Sequence, residues 1–179
     1  MSTDSLSKKE HSALTEWSQE AVLAEIAGHL LRRGWTLAAA ESCTGGLIAG
    51  ACTDLSGSSQ WFERGFVSYS NAAKTEMLGV PAPLIAQHGA VSEPVARAMA
   101  EGALAHSGAQ ASLSVTGVAG PTGGTPDKPV GLVWFGWSVA GHTHSESRHF
   151  PGDRAAVRAA TVRHALTRLL ALLQAQDAV

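Results

Sequence analysis

The sequence predicts one α/β domain of three layers, α/β/α, with a mixed sheet in the middle. Segments with helical spacing of apolar residues alternate with short apolar runs of strand length, the pattern of helices packed on both faces of a sheet. Near the C-terminus, residues 130–139 and 142–150 flank Ala140-Gly141, a combination that predicts a β-hairpin. The chain has 179 residues, 45% of them hydrophobic, which is enough for one core.

Five elements are predicted in the first half of the chain, in the order helix, strand, helix, strand, helix. Apolar residues recur every three or four positions over 16–33, and Gly34 follows where that helix should end. Residues 35–40 form an apolar run of strand length, and the small residues from 44 to about 52 predict the second helix. Phe66 and Val67 indicate a strand, and residues 71–78 predict a short helix before Gly79 and Pro81.

The second half predicts a helix, a strand, the hairpin and a last helix. Ser92 can cap a helix that runs to about residue 106, with Pro94 in its first turn. Residues 111–115 form an apolar strand that leads into a loop rich in glycine. The last helix begins near Asp153. We assign residues 1–12 to a flexible tail and residues 13–179 to the domain.

Composition excludes several classes of protein. The net charge of −2 provides no basic surface for nucleic acid, and no run approaches the roughly 20 apolar residues of a membrane span. The polar N-terminus has no apolar signal core, so we expect a cytoplasmic protein. Cys43 and Cys52 have neither disulfide nor zinc spacing. His142, His144 and His149 lack the further ligands of a metal site, so no metal is predicted.

The motif Glu41-Ser42-Cys43-Thr44-Gly45-Gly46 places a hydroxyl and a thiol at the junction of a strand and a helix. Free amides at a helix start can stabilise an anion, including the oxyanion formed when a nucleophile attacks a carbonyl. Three interpretations stay open: Ser42 is a nucleophile, Cys43 is a thiol nucleophile with Glu41 and Lys74 as partners, or Ser42 or Thr44 is merely a helix cap.

A second motif joins Tyr69, the only tyrosine, to Lys74, the only lysine between Lys9 and Lys128. Both residues lie where a strand passes into a helix, so both side chains can reach one site. A lysine sheltered from water has a lowered pKa and can act as a base or activate a neighbouring hydroxyl. In the alternative, Tyr69 is a half-buried strand aromatic and Lys74 a solvated helix residue.

The third feature is the loop from Thr116 to Lys128, whose glycine amides can hold a phosphate or a carboxylate. Its alternative is a long connecting turn. Arg154, at the start of the last helix, can make two parallel hydrogen bonds to a phosphate. In the alternative, its side chain is only solvated, as is often the case for arginine at a helix start.

Taken together, these motifs resemble the CinA C-terminal domain family, the nicotinamide-nucleotide amidohydrolase group. The resemblance covers about residues 18–175 and rests on five segments in family order. They are 41–46, 68–74 with 78–80, 89–92, 116–121 with 123–124, and 128–131. A molybdopterin-binding-like domain that precedes this module in longer members has no counterpart here, so the resemblance implies the stand-alone form.

The resemblance implies hydrolysis of the carboxamide of nicotinamide mononucleotide to nicotinic acid mononucleotide and ammonia, with no metal and no cofactor. It implies a small-molecule nucleotide substrate and a homo-oligomer, a dimer or higher. Ser42 resembles the nucleophile and Tyr69 and Lys74 its activating partners, with the choice of base between the last two left open. The alternative in another class is a nucleotide-binding regulatory module without turnover.

The implied substrate-binding residues come from all three motifs and the last helix. They are Cys43, Thr44, Gly45, Gly46, Asn71, Thr116, Gly117, Gly120, Gly123, Gly124 and Arg154. Backbone amides of residues 43–46 are expected to hold the oxyanion.

Overall fold

A five-stranded mixed sheet forms the middle layer of the computed structural model, which describes residues 17–177. The strands are β1 (Leu37–Glu41), β2 (Phe62–Val67), β3 (Ala111–Gly117), β4 (Leu132–Val139) and β5 (His142–His149), in the spatial order β2-β1-β3-β4-β5. β1 is parallel to β2 and β3, whereas β4 is antiparallel to β3 and β5. The predicted mixed sheet and hairpin are therefore confirmed. The predicted tail, 1–12, lies outside the described residues.

Six α-helices cover the two faces of this sheet within residues 17–177. They are α1 (Gln19–Arg33), α2 (Leu47–Asp54), α3 (Asn71–Leu78), α4 (Ala82–His88), α5 (Glu93–Ala105) and α6 (Arg154–Asp177). Side chains alternate along β1: Leu37 and Ala39 join the core beneath α1 and α6, and Ala38 and Ala40 join the core beneath α3 to α5. Two cores on opposite faces confirm the three-layer prediction.

Serine caps and glycine ends bound two of the predicted helices. The hydroxyl of Ser18 accepts a hydrogen bond from the Ala21 amide at the start of α1, and Ser70 does the same for Ala73 at the start of α3. Gly34 and Gly79 follow these helices in the left-handed conformation, with φ of 63° and 68°. The predicted ends of both helices are confirmed.

Three local predictions differ from the structure. The helix predicted from 44 begins at Leu47, because Gly45 and Gly46 are left-handed, with φ of 58° and 104°. Ser92 precedes α5 but does not cap it, since its hydroxyl donates to the Gly89 carbonyl at 2.8 Å. Helix α4 was not predicted, because its seven residues are too short for a periodic pattern.

Candidate active site

The carboxyl ends of the parallel strands meet at one edge of the sheet, where the predicted motifs come together. Ser42 follows β1, Tyr69 lies just beyond β2, and Thr116 lies near the end of β3. A cleft of about 400 Å³ opens at this edge. Clefts outside the carboxyl ends of strands are the usual ligand sites of open α/β sheets, so this cleft is the candidate active site.

Ten of the predicted site residues line the cleft: Ser42, Cys43, Tyr69, Asn71, Lys74, Thr116, Gly117, Gly120, Gly123 and Arg154. The other four predicted substrate-binding residues are not among its lining residues, and their role in binding stays a prediction. Thr44, Gly45 and Gly46 instead build the turn before α2, with the Thr44 hydroxyl 2.6 Å from a Glu41 oxygen. Gly124 packs on Val130, where an added Cβ would lie 2.9 Å from the Val130 nitrogen.

Lys74 is buried at the base of the cleft, with only 1% of its surface exposed. Its Nζ lies 3.0 Å from Ser42 Oγ, 3.1 Å from the Ser68 carbonyl oxygen and 3.2 Å from the Tyr69 carbonyl oxygen. Burial lowers the pKa of Lys74, because the charged form loses its hydration. The structure therefore contradicts the alternative of a solvated helix residue.

The three partners of Lys74 decide what its neutral form can do. A neutral amine keeps two N–H donors and one lone pair. The carbonyl oxygens of Ser68 and Tyr69 can only accept, so they take both donors, and the lone pair is left for the Ser42 hydroxyl. This geometry equips Lys74 to remove the proton from Ser42.

The start of α2 is occupied by a carboxylate of the chain itself. Glu41 is fully buried and accepts hydrogen bonds from the amides of Gly46, Ile48 and Ala49 at 2.8–3.1 Å. A carboxylate is favourable at this position because the helix dipole is positive there. The Glu41 carboxylate therefore caps α2, and these amides already have an acceptor within the chain.

Fewer amides are available for an oxyanion than the sequence indicated. Gly45 donates to the Ser42 carbonyl and Gly46 to Glu41. Within residues 17–177 the Cys43 amide donates to no other residue, its described contact being with its own thiol, and Cys43 lines the cleft directly after Ser42. Of the backbone amides of residues 43–46 that were predicted to hold the oxyanion, the amide of Cys43 is the candidate that remains.

Cys43 is a poor candidate for a thiol nucleophile. Burial raises the pKa of its thiol to about 11, and the nearby Glu41 charge acts in the same direction. A hydrogen bond from the Cys43 backbone amide lowers this pKa by less than burial raises it, and the charges of Lys74 and Arg158 lower it by less again. Glu41 also uses its oxygens on the turn and on α2, so it is not available as a partner of the thiol.

Tyr69 lies at the mouth of the cleft with 59% of its surface exposed, so it is not a half-buried strand aromatic. Its hydroxyl accepts a hydrogen bond from Arg154 at 3.2 Å, and Arg154 also donates to the Gly120 carbonyl at 2.9 Å. Among the described contacts, the Tyr69 hydroxyl bonds to neither Ser42 nor Lys74. The structure therefore pairs Tyr69 with the predicted phosphate ligand.

Sequence reasoning missed part of the cleft wall. The missed lining residues are Ala90, Val91, Val118, Ala119 and Thr122. Thr116 connects two parts of this wall, because its hydroxyl donates to the Ala90 carbonyl at 2.9 Å. The available signal was position: all but Thr122 lie inside the motif segments 89–92 and 116–121.

Residues 17–177 contain neither a cluster of metal ligands nor a membrane-spanning helix. No group of three or more His, Cys, Asp or Glu side chains there is arranged to hold a metal ion. No helix between residues 17 and 177 has the length and apolar character needed to span a bilayer.

Comparison with known proteins gives one family. The family model of the CinA C-terminal domain matches residues 19–173. Nicotinamide-nucleotide amidohydrolase PncC of Pseudomonas putida is 56% identical over 144 residues, covering 80% of this chain and 90% of that protein. The Escherichia coli K12 protein of the same name is 52% identical over 82% of this chain and 90% of its own length. Some relatives are longer: this chain spans 37% of one from Symbiobacterium thermophilum that is 52% identical.

Solved structures agree with this assignment. The competence/damage inducible protein CihA from Agrobacterium tumefaciens superposes with a TM-score of 0.83 at 45% identity, covering 86% of this chain and 94% of that chain. A competence-damaged protein (CinA) superfamily protein from Escherichia coli superposes with a TM-score of 0.84 at 37% identity, covering 87% and 90%.

Proposed function

Because the chain belongs to the CinA C-terminal domain family, we propose that it hydrolyses the carboxamide of nicotinamide mononucleotide to nicotinic acid mononucleotide and ammonia. Relatives more than half identical over most of the chain are named nicotinamide-nucleotide amidohydrolases, which supports an amidohydrolase. The observation that carries the mechanism is the buried Lys74 amine 3.0 Å from the Ser42 hydroxyl.

The first step is attack of Ser42 on the carboxamide carbon. Neutral Lys74 takes the hydroxyl proton as the Oγ–C bond forms, and the carbonyl electron pair moves onto oxygen. The Cys43 amide, which donates to no other described residue, is the donor for that oxyanion. An oxyanion donor commonly contributes about 3–4 kcal/mol to transition-state stabilisation.

The second step releases ammonia. The Lys74 ammonium returns its proton to the leaving nitrogen as the C–N bond breaks, and an acyl-enzyme remains on Ser42. Water then attacks this ester with Lys74 again as base, and the Lys74 ammonium returns the proton to Ser42 Oγ as the Oγ–C bond breaks and nicotinic acid mononucleotide leaves. Each proton has a donor and an acceptor among Ser42, Lys74 and water, so we infer a metal-independent reaction.

The other cleft residues suit the remainder of the substrate. Arg154 lies with Tyr69 at the mouth of the cleft and has further N–H groups for a phosphate. Gly120 and Gly123 line the same side, where backbone can approach a nucleotide closely. We assign phosphate recognition to Arg154 and this loop. Tyr69 belongs with this binding group, since its contact is with Arg154.

The test is an ammonia-release assay on the mononucleotide beside the riboside and free nicotinamide. We expect release from the mononucleotide, with a lower rate for the riboside, which lacks the phosphate. Ser42→Ala should reduce kcat by at least about 1,000-fold, since loss of a catalytic serine removes the covalent step. Cys43→Ala should reduce it far less, because only the backbone of Cys43 has a role.

Other results would point elsewhere. An unchanged rate for Ser42→Ala would contradict the serine nucleophile, and inactivation by Cys43→Ala with a mild effect of Ser42→Ala would favour the thiol. Calorimetric binding of the mononucleotide with no product would favour the regulatory module.

A further inference from the structure

Arg158 is a second arginine on the face of α6 that carries Arg154. The two residues are four positions apart and so are neighbours on the helix surface. Arg154 lines the cleft, whereas Arg158 does not. Arg158 instead donates from Nε to the Cys43 carbonyl at 3.2 Å and from a terminal nitrogen to the Thr44 carbonyl at 3.0 Å. One guanidinium thus binds two consecutive carbonyls of the turn that follows Ser42.

The peptide between Thr44 and Gly45 transmits this contact to Ser42. In a planar trans peptide the C=O and the N–H point in opposite directions. The Thr44 carbonyl faces Arg158, and the Gly45 amide donates to the Ser42 carbonyl at 3.1 Å. Arg158 and the backbone of Ser42 are therefore at opposite ends of one rigid group.

The turn needs this external support because of its composition. Gly45 and Gly46 have no side chains and positive φ values of 58° and 104°, so this turn is held by hydrogen bonds alone, among them Gly45 to the Ser42 carbonyl and Leu47 to the Thr44 carbonyl. Glu41 fixes the amides at the start of α2 and the Thr44 hydroxyl, but the described bonds to the Cys43 and Thr44 carbonyls from a side chain come from Arg158. The Ser42 amide is fixed from the other side, on Val115 at 3.1 Å.

From these contacts we propose that Arg158 is a positioning residue for Ser42. By holding the turn, Arg158 keeps the Ser42 hydroxyl within hydrogen-bond distance of Lys74 and keeps the Cys43 amide directed into the cleft for the oxyanion. The proposal rests on the proposed function. The planar fork of arginine suits two adjacent acceptors, whereas a lysine amine is a single point charge on a flexible stem. Arg158 has no described contact with Ser42 Oγ and lines not the cleft but an adjoining cavity, which shares Ala119 and Arg154 with it, so we expect its effect on kcat to exceed its effect on KM.

The experiment compares Arg158→Met with Arg168→Met, a matched change ten residues further along α6, about 15 Å away. Two readouts are taken: kcat and KM for ammonia release, and the rate at which phenylmethylsulfonyl fluoride labels Ser42, followed by peptide mass. We expect Arg158→Met to lower kcat and the labelling rate together, on the order of 10- to 100-fold, with KM changed less than about threefold. Arg168→Met should stay within about twofold of the wild type on both readouts.

The two readouts separate this proposal from the proposed function. If the wild type releases no ammonia, the proposed function fails, while the labelling rates still test Arg158. Labelling of Arg158→Met within about twofold of the wild type would overturn the positioning role. Equal losses in both variants, or a loss confined to KM, would also overturn it.

A second variant covers the case in which Arg158→Met does not fold. Arg158→Lys keeps the charge and most of the side-chain stem but cannot hold both carbonyls. We expect an intermediate loss of kcat and labelling, about fivefold to 20-fold, in a protein whose melting temperature matches that of Arg168→Lys. Wild-type labelling in folded Arg158→Lys would contradict the proposal.

Discussion

Lys74 shows at the scale of one residue how burial produces reactivity. Its amine is surrounded by two carbonyl oxygens and the Ser42 hydroxyl and is closed off from water. Desolvation lowers its pKa, and the nearby Cys43 opposes this shift by less. The neutral form that catalysis needs is therefore present at lower pH than for a free lysine.

The pH dependence of the reaction follows from this shift. The rate rises with pH as Lys74 loses its proton, so kcat/KM should rise through a pKa below the ordinary lysine range. Lys74→Arg should be inactive across the whole profile, because a guanidinium keeps its proton. Lys74→Met should also be inactive by ammonia release. A wild-type profile whose rising limb persists in Lys74→Met would contradict the assignment.

The same shift affects stability. An unfolded chain binds a proton at Lys74 up to its ordinary pKa, whereas the folded chain releases it earlier. The unfolded state therefore holds more protons between the two pKa values, and the free energy of unfolding rises with pH across that window. Lys74→Met removes this part of the pH dependence.

At the scale of secondary structure, Glu41 and α2 form one unit. A carboxylate at the end of β1 satisfies three amides of the following turn and helix, and also the Thr44 hydroxyl. The Glu41 carboxylate thereby accepts the hydrogen bonds of the amides at the start of α2, and Ser42 lies between β1 and this capped turn. We expect this cap to support the position of Ser42, the proposed nucleophile, as well as the stability of the helix.

Glu41→Gln tests this unit. The amide side chain keeps one acceptor but turns an NH2 group towards backbone donors, so the free energy of unfolding should fall by about 2–4 kcal/mol. Urea denaturation measures it. Ser70→Ala, which removes the single cap contact of α3, should cost about 1 kcal/mol and is the matched control. A Glu41→Gln protein as stable as Ser70→Ala would show that the carboxylate is not essential to the cap.

At the scale of the whole molecule, the packing of α5 on α3 fixes the depth at which Lys74 lies. Gly102 of α5 passes so close to the end of α3 that an added Cβ would lie 2.0 Å from the Leu78 carbonyl oxygen. The Leu78 carbonyl belongs to the backbone of α3, so it could avoid such a contact only if α3 moved. The small residue at 102 is thus a condition for the site, although it lies outside the cleft.

Gly102→Ala should therefore lower both stability, by about 2–3 kcal/mol, and kcat, because α3 must shift. Gly50→Ala is the matched control in α2: its added Cβ meets no atom within 4 Å, and alanine should stabilise the helix by about 0.5–1 kcal/mol. Thermal melts and ammonia release measure both changes. A Gly102→Ala protein with wild-type kcat would contradict the link between helix packing and the site.

The predicted homo-oligomer stays a prediction.

Much of the architecture was accessible from local patterns. Periodicity, glycine stops and the Ala140-Gly141 turn act over a few residues, so the main helices, the strands and the hairpin could be predicted. The start of α2 at Leu47 could not be predicted, because the backbone conformation of the preceding glycines decides it. The partner of the Ser92 hydroxyl could not be predicted either, because it is the Gly89 carbonyl and not an amide of the helix. Helix α4 exists through packing and has too few residues to show a period.

The sequence by itself determined which side chains can perform the chemistry: a serine and a thiol after one strand, and a single tyrosine and a lysine after the next. Only the tertiary structure decided their contacts and their burial. It buried Lys74 against Ser42, placed Tyr69 on Arg154, and gave the helix start to Glu41. The physical reason is that burial and hydrogen-bond geometry are set by elements distant in sequence, and these set both the pKa of a lysine and the partner of a hydroxyl.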